Sequence, residues 1–204
     1  MKFGSLIEIT GKKGTGKTQI NFFICAINSM NNKKIIYADG SGDFRPERIK
    51  SMIDKILATK DQSNTYLKNI VFQRIYELDD LFKLIRKIKL LSFDILILDD
   101  IIPMFLYKFK EKTRLEVRRF IRELSLITLS KKISIIFTNL IVEKFNKEGE
   151  NTQSRELFYH DILRYVQHKF LLQATPNNNK ISEFRLVHPY TIQRSKIDID
   201  FSNL

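Results

Sequence analysis

A chain of 204 residues with 43% hydrophobic content can bury one substantial core, so a single domain over residues 1–204 is expected. No apolar run reaches the roughly 20 residues that a membrane-spanning helix needs. The start "MKFGSLIEITG" also lacks the features of a secretory leader, which predicts a cytoplasmic protein with no membrane partner. The 35 Lys and Arg against 23 Asp and Glu favour nucleic acid or another polyanion as partner, although Lys-rich genomes of biased base composition also encode basic chains.

In chain order, Leu6 to Thr10 ("LIEIT") forms a short apolar strand that runs directly into "GKKGTGKT". A helix follows from Lys17 to about Met30, apolar on nearly all sides; its Cys25, the only cysteine, is expected to be a small buried thiol. Ile35 to Ala38 is the second strand. Pro46 suits a first helical residue, with Asp43 or Arg45 near the entry, and Ile49, Ile53, Ile56 and Leu57 form an apolar stripe that "DQSN" ends. Ile70 to Phe72 reads as a third strand, and Leu78, Leu81, Phe82, Ile85 and Ile88 mark an amphipathic helix. "FDILILDD" is an apolar strand closed by two carboxylates. A long helix from about Thr113 to Leu129 carries Val117, Phe120, Ile121 and Leu124 at core spacing, and "ISIIFTN" gives a fifth strand.

Strands alternating with helices predict an α/β fold: a mostly parallel central sheet, helices on both faces, and ligands at the carboxyl ends of the strands. "KFLLQA" and "SEFRLV" around the polar "TPNNNK" predict a C-terminal antiparallel hairpin at the sheet edge. The polar stretch from Glu143 to Arg155 is the expected mobile loop. His160, His168 and His188 are not spaced as a metal set.

Gly11, Lys12, Lys13, Gly14, Thr15, Gly16, Lys17 and Thr18 satisfy G-x-x-x-x-G-K-[ST] between a predicted strand and a predicted helix, the context the motif requires. Its glycines let backbone N–H groups turn toward phosphate oxygens, and the helix N-terminus adds positive potential. Six of the seven glycines lie within the first 42 residues, clustered where close backbone approach is needed. The expected ligand is a nucleotide with Mg²⁺. Lys17 reaches its β and γ phosphates, the Thr18 hydroxyl ligates the metal, and Asp99 at the end of "ILILD" holds the metal through water.

These pieces together resemble the RecA/RadA recombinase family, and in particular its short archaeal RadB-like paralogues. "GSLIEITGKKGTGKTQINFF", with Gln19 after the motif, is similar to the family's phosphate-loop region, and "DFRPERI" is similar to the motif opening the helix after its second strand. "FDILILDDI" and "SIIFTNLIV" resemble its magnesium strand and the later strand ending in Thr-Asn. The resemblance runs from Gly4 to about Leu172 and implies a P-loop NTPase core of RecA type. It also implies DNA-facing loops after the Asp99 strand and after Thr138-Asn139, and places Arg48 against the adenine. The chain begins at the core, which implies a member that does not polymerise and that assists recombination or DNA repair beside a RecA-family recombinase or another paralogue.

Two positions depart from the family pattern. Ser41 stands where the family has the glutamate that deprotonates the attacking water, and a serine cannot act as a base at its ordinary pKa; loss of a positioned base costs roughly 10²- to 10⁴-fold. Asp43 is a weak substitute base and is more simply a helix-capping group. Leu140 follows Asn139 where the family has the glutamine that senses the γ-phosphate. The expectation is ATP binding with slow or absent hydrolysis. An active DNA-stimulated ATPase using Asp43, or a KaiC-like regulatory ATPase that does not bind DNA, are the alternatives.

For DNA, "YKFKEKTRLEVRR" from Tyr107 to Arg119 has six basic and two acidic residues and two aromatic rings, making it the best single-strand contact segment, with Lys108, Lys110, Lys112 and Arg114 leading it. The same residues also suit the solvated face of a helix. The stretch Glu143 to Glu156 carries a net charge of minus one and contributes little.

Overall fold

The computed structural model describes residues 4–58, 63–108, 112–145, 151–175, 178–189 and 196–201. Its strands are β1 (Leu6–Gly11), β2 (Ile35–Asp39), β3 (Ile70–Arg74), β4 (Ile95–Asp99), β5 (Ser134–Phe145), β6 (Asn151–Glu156), β7 (His168–Thr175), β8 (Asn178–His188) and β9 (Lys196–Asp200). The helices are α1 (Lys17–Met30), α2 (Pro46–Leu57), α3 (Ser63–Leu67), α4 (Leu78–Ile88), α5 (Phe105–Lys108), α6 (Thr113–Lys131) and α7 (Tyr159–Ile162).

The main sheet runs β3-β2-β4-β5-β1-β7-β8-β9. Pairing is parallel from β3 through β7 and antiparallel for β7-β8 and β8-β9. The predicted α/β architecture is therefore present, with one strand more at the C-terminal edge than expected. The pleat explains the layering. Ile35 and Tyr37 of β2, like Ile95 and Ile97 of β4, point to the side covered by α1 and α2; Ile36, Ala38, Leu96 and Leu98 point to the side covered by α4 and α6. Both faces are apolar, so these strands read as continuous runs rather than alternating ones.

Helix α1 has no exposed residue, and Cys25 is free and buried. In α2, Ile49 and Ile53 are buried as the stripe requires, whereas Ile56 is 48% exposed. All four core positions named for α6 are buried.

One expectation is overturned. The strand containing Thr138 and Asn139 does not end there: β5 continues to Phe145 and is met by β6 in antiparallel pairing, Ile141 opposite Glu156 through Phe145 opposite Asn151. What the polar composition marked as a loop from Glu143 to Arg155 is a β-hairpin in its described parts; residues 146–150 lie outside the described residues. Strand β6 (NTQSRE) has no apolar residue, so it joins β5 through backbone pairing with no hydrophobic pattern to mark it.

Candidate functional site

The pleat also builds the site. Asp99 has the parity of Ile95 and Ile97, Thr138 and Leu140 that of Ile136, so all three turn to the α1 side at the carboxyl ends of their strands. There they line a cavity of about 630 Å³ with Lys13, Gly14, Gly16, Lys17 and Thr18, and with Ser41 and Asp43 from the loop after β2.

Gly16 is the N-cap of α1 with φ 91°, a left-handed conformation that disfavours any side chain. The Lys17 ammonium donates to the carbonyls of Gly11 (3.0 Å) and Lys12 (2.8 Å), which holds it across the loop mouth. Burial lowers its pKa, while the Asp100 and Asp99 carboxylates oppose that shift. Asp99 is buried and accepts hydrogen bonds from Tyr37 Oη (2.7 Å), Thr138 Oγ1 (2.9 Å) and the Thr18 hydroxyl. Burial raises its pKa and those three donors counter it. A glycine-built cradle at a helix N-terminus, a lysine across its mouth, and a threonine hydroxyl beside a buried carboxylate are the donor set a magnesium–nucleoside triphosphate requires, so the residues present fit that ligand.

The loop after β2 is organised by Asp39. Its carboxylate accepts from Ser41 N (2.9 Å), Ser41 Oγ (3.0 Å), Gly42 N (3.0 Å) and Phe44 N (3.1 Å), and Arg74 at the end of β3 stands 3.3 Å from it. Phe44 then anchors the loop among aromatic rings, stacked on Phe72 at 4.4 Å and tilted against Tyr37 at 4.8 Å. Asp43 does not cap α2. The N-cap is Arg45, without a side-chain cap bond, and Asp43 lines the cavity, close enough to Asp100 to help raise that carboxyl after burial has done so. Arg48 Nη2 donates to Gln19 Oε1 at 3.3 Å, which brings these two predicted residues together beside the loop.

The Rad51 family profile matches residues 1–157. The chain belongs to the Rad51 family. Relatives include "Meiotic recombination protein DMC1 homolog A" of Oryza sativa subsp. indica, 26% identical in an alignment 152 residues long that covers 67% of this chain and 43% of that protein. "DNA repair protein RAD51 homolog 1" of Arabidopsis thaliana is 25% identical over 68% of this chain and 44% of its own length. "DNA repair protein rhp51" of Schizosaccharomyces pombe (strain 972 / ATCC 24843) is 24% identical over 79% of this chain and 48% of its own. The chain thus spans under half the length of these Rad51-family relatives.

Away from the cavity, two of the basic residues named for DNA fall among the described side chains. Lys112 is exposed at the start of α6, whereas Arg114 and Arg118 both bond the buried Asp161, at 2.8 and 2.6 Å. Lys110 and the Lys108 side chain lie outside the described residues. Among the described residues, no helix is long and apolar enough to cross a membrane, and no cluster of three metal-ligating side chains occurs.

Sequence reasoning missed three contributors. Tyr37 and Arg74 carry no motif: Tyr37 lies on a predicted strand, and Arg74 lies two residues beyond the predicted end of another. The third is a buried ionic group on the opposite face of the sheet. Glu8, Lys169 and Glu156 pair there, with Lys169 Nζ 3.1 Å from Glu8 and bonded to Glu156, and Asn139 donates to Glu8 at 2.7 Å. Thr138 and Asn139 therefore serve opposite faces. The same hairpin is also tied to the phosphate loop by an ion pair between Lys12 and Glu143.

Proposed function

We propose that this chain is a cytoplasmic, RadB-like member of the Rad51 family, a single RecA-type core that binds ATP with Mg²⁺ and hydrolyses it slowly or not at all. It assists homologous recombination or DNA repair beside a RecA-family recombinase or another paralogue. In this reading the phosphate loop from Gly11 to Thr18 grips the phosphates, Lys17 neutralises them, and Thr18 and Asp99 hold the metal, Asp99 through water. Arg48 and Gln19 lie toward the base. The metal supplies charge neutralisation on the phosphate oxygens.

The observation that carries the slow-hydrolysis reading is the pair of hydrogen bonds from Ser41 to Asp39. Hydroxyl and amide both donate to Asp39 Oδ1, so the side chain at the expected position of the base is turned to support its own loop. Leu140 meanwhile presents an apolar wall to the cavity. Calorimetric ATP titration together with rapid-quench single-turnover cleavage tests this: tight binding with little product is expected, and cleavage at the rate of an active recombinase refutes it.

A second reading is favoured by one fact, that Asp43 lines the same cavity as Lys17, Asp99 and Asp100. If Asp43 is the base, an Asp43→Asn variant loses cleavage while keeping ATP affinity. Single-stranded DNA as partner, met by Lys108, Lys110, Lys112 and Arg114, is part of the leading reading. It is tested by binding at increasing salt, where electrostatic contacts weaken steeply.

A further inference from the structure

The phosphate loop is enclosed from the far end of the chain. A Cβ on Gly11 would lie 2.4 Å from the carbonyl oxygen of Leu172 in β7, and the Ser182 hydroxyl in β8 donates to the Thr15 carbonyl at 3.1 Å. Strand β9 is held in register on β8, with Ile199 opposite Ser182, and the chain beyond it delivers Phe201 onto Gly16. The ring occupies the space a side chain at Gly16 would need: a Cβ there would fall 2.4 Å from Cζ and 2.5 Å from Cε2.

Phe201 is partly buried and packs against the core on the α1 side, at the edge of the helix start. One helical turn further on, Gln19 accepts the hydrogen bond from Arg48. An aromatic ring at the N-cap and a planar guanidinium reaching the first turn thus both border the start of the helix that the phosphate motif opens. A flat heterocycle attached to a bound triphosphate emerges at that end of the motif, where one partner offers a π-face and the other a delocalised cation.

We propose that Phe201 is a specificity-determining residue of the nucleotide site, its ring forming a platform for the purine across from Arg48. The proposal rests on the ATP-binding reading above and adds to it a discrimination between nucleoside triphosphates and bare polyphosphate. Stacking needs a π-face, so a leucine at this position keeps the apolar contact on Gly16 but loses the base contact.

The full chain contains no tryptophan, so Phe201→Trp installs a single indole reporter. Its emission is expected to change on adding Mg-ATP and not on adding Mg-tripolyphosphate. In calorimetry, Phe201→Leu, checked for an unchanged melting temperature, is expected to raise the Kd for ATP about tenfold and leave that for tripolyphosphate unaltered. If wild type binds both ligands while Phe201→Leu loses neither, or loses both equally, the platform is overturned and ATP binding stands. If wild type binds neither, the nucleotide reading falls and the platform with it.

Discussion

Tyr37 Oη reaches across from β2 to donate a 2.7 Å hydrogen bond to Asp99 Oδ2, while Thr138 on the other flanking strand donates to Oδ1 at 2.9 Å. A buried carboxylate is thereby clamped by both neighbouring strands. Removing one donor leaves part of its desolvation uncompensated. Tyr37→Phe is expected to cost about 1–2 kcal/mol of stability, read as a lower urea midpoint with an unchanged slope. Burial already raises the Asp99 pKa against these hydrogen bonds, so losing one raises it further. As pH falls, Mg-ATP binding in the variant is expected to fail at a higher pH than in wild type, measured by titrations across a pH series.

Restoring a carboxylate at the departed position tests the loss directly. Ser41→Glu is expected to raise single-turnover ATP cleavage by on the order of 10²-fold, the lower range for a positioned base. Product formed after rapid quench is the measurement. The gain will be limited by the neighbouring carboxylates of Asp39 and Asp43, and adding Asp43→Asn to the variant is expected to increase it.

Glu8 gives the fold a pH dependence of its own. Burial, with the Glu156 carboxylate next and Lys169 opposing, pushes its pKa up from 4.5 to about 8. Between those two values the folded chain holds a proton that the unfolded chain has released, so this group makes stability fall as pH rises through the window and levels off above it. Glu8→Gln keeps a neutral side chain at every pH. Its melting temperature is expected to decline less than that of wild type between pH 5 and pH 8, as thermal melts at closely spaced pH values will show.

DNA binding, if carried by the basic segment before and within α6, must show in its salt dependence. Lys112 is exposed there, whereas Arg114 shares the buried Asp161 with Arg118. Lys112→Glu is expected to weaken single-strand binding uniformly across sequences. It is also expected to reduce the slope of log Kd against log salt by about 0.7, the contribution of one phosphate contact on a single strand. Fluorescence anisotropy over a salt series measures both.

Legibility followed the physics of each element. Strands buried on both faces, such as Ile95–Asp99, announce themselves as apolar runs, and α1 was bounded at Lys17 and Met30 because the phosphate motif fixes its start. The phosphate-loop cradle was readable since its glycines and lysine sit next to one another in sequence. What escaped depends on contacts distant in sequence or on backbone pairing alone. Strand β6 is polar throughout, and the Glu8–Lys169–Glu156 group joins three segments. The alternation of Ile197, Ile199 and Phe201 was a period-two signal for β9 that could have been read.

The contacts that close the phosphate loop have an implication for how the protein is made. Thr15 and Ser182 are 167 positions apart in the chain, and Gly16 waits for Phe201. The phosphate loop leaves the ribosome well before the strands that brace it, so contacts of such long sequence separation form only once β8 and β9 have followed. A translation product arrested before β8 therefore carries the phosphate loop without its brace.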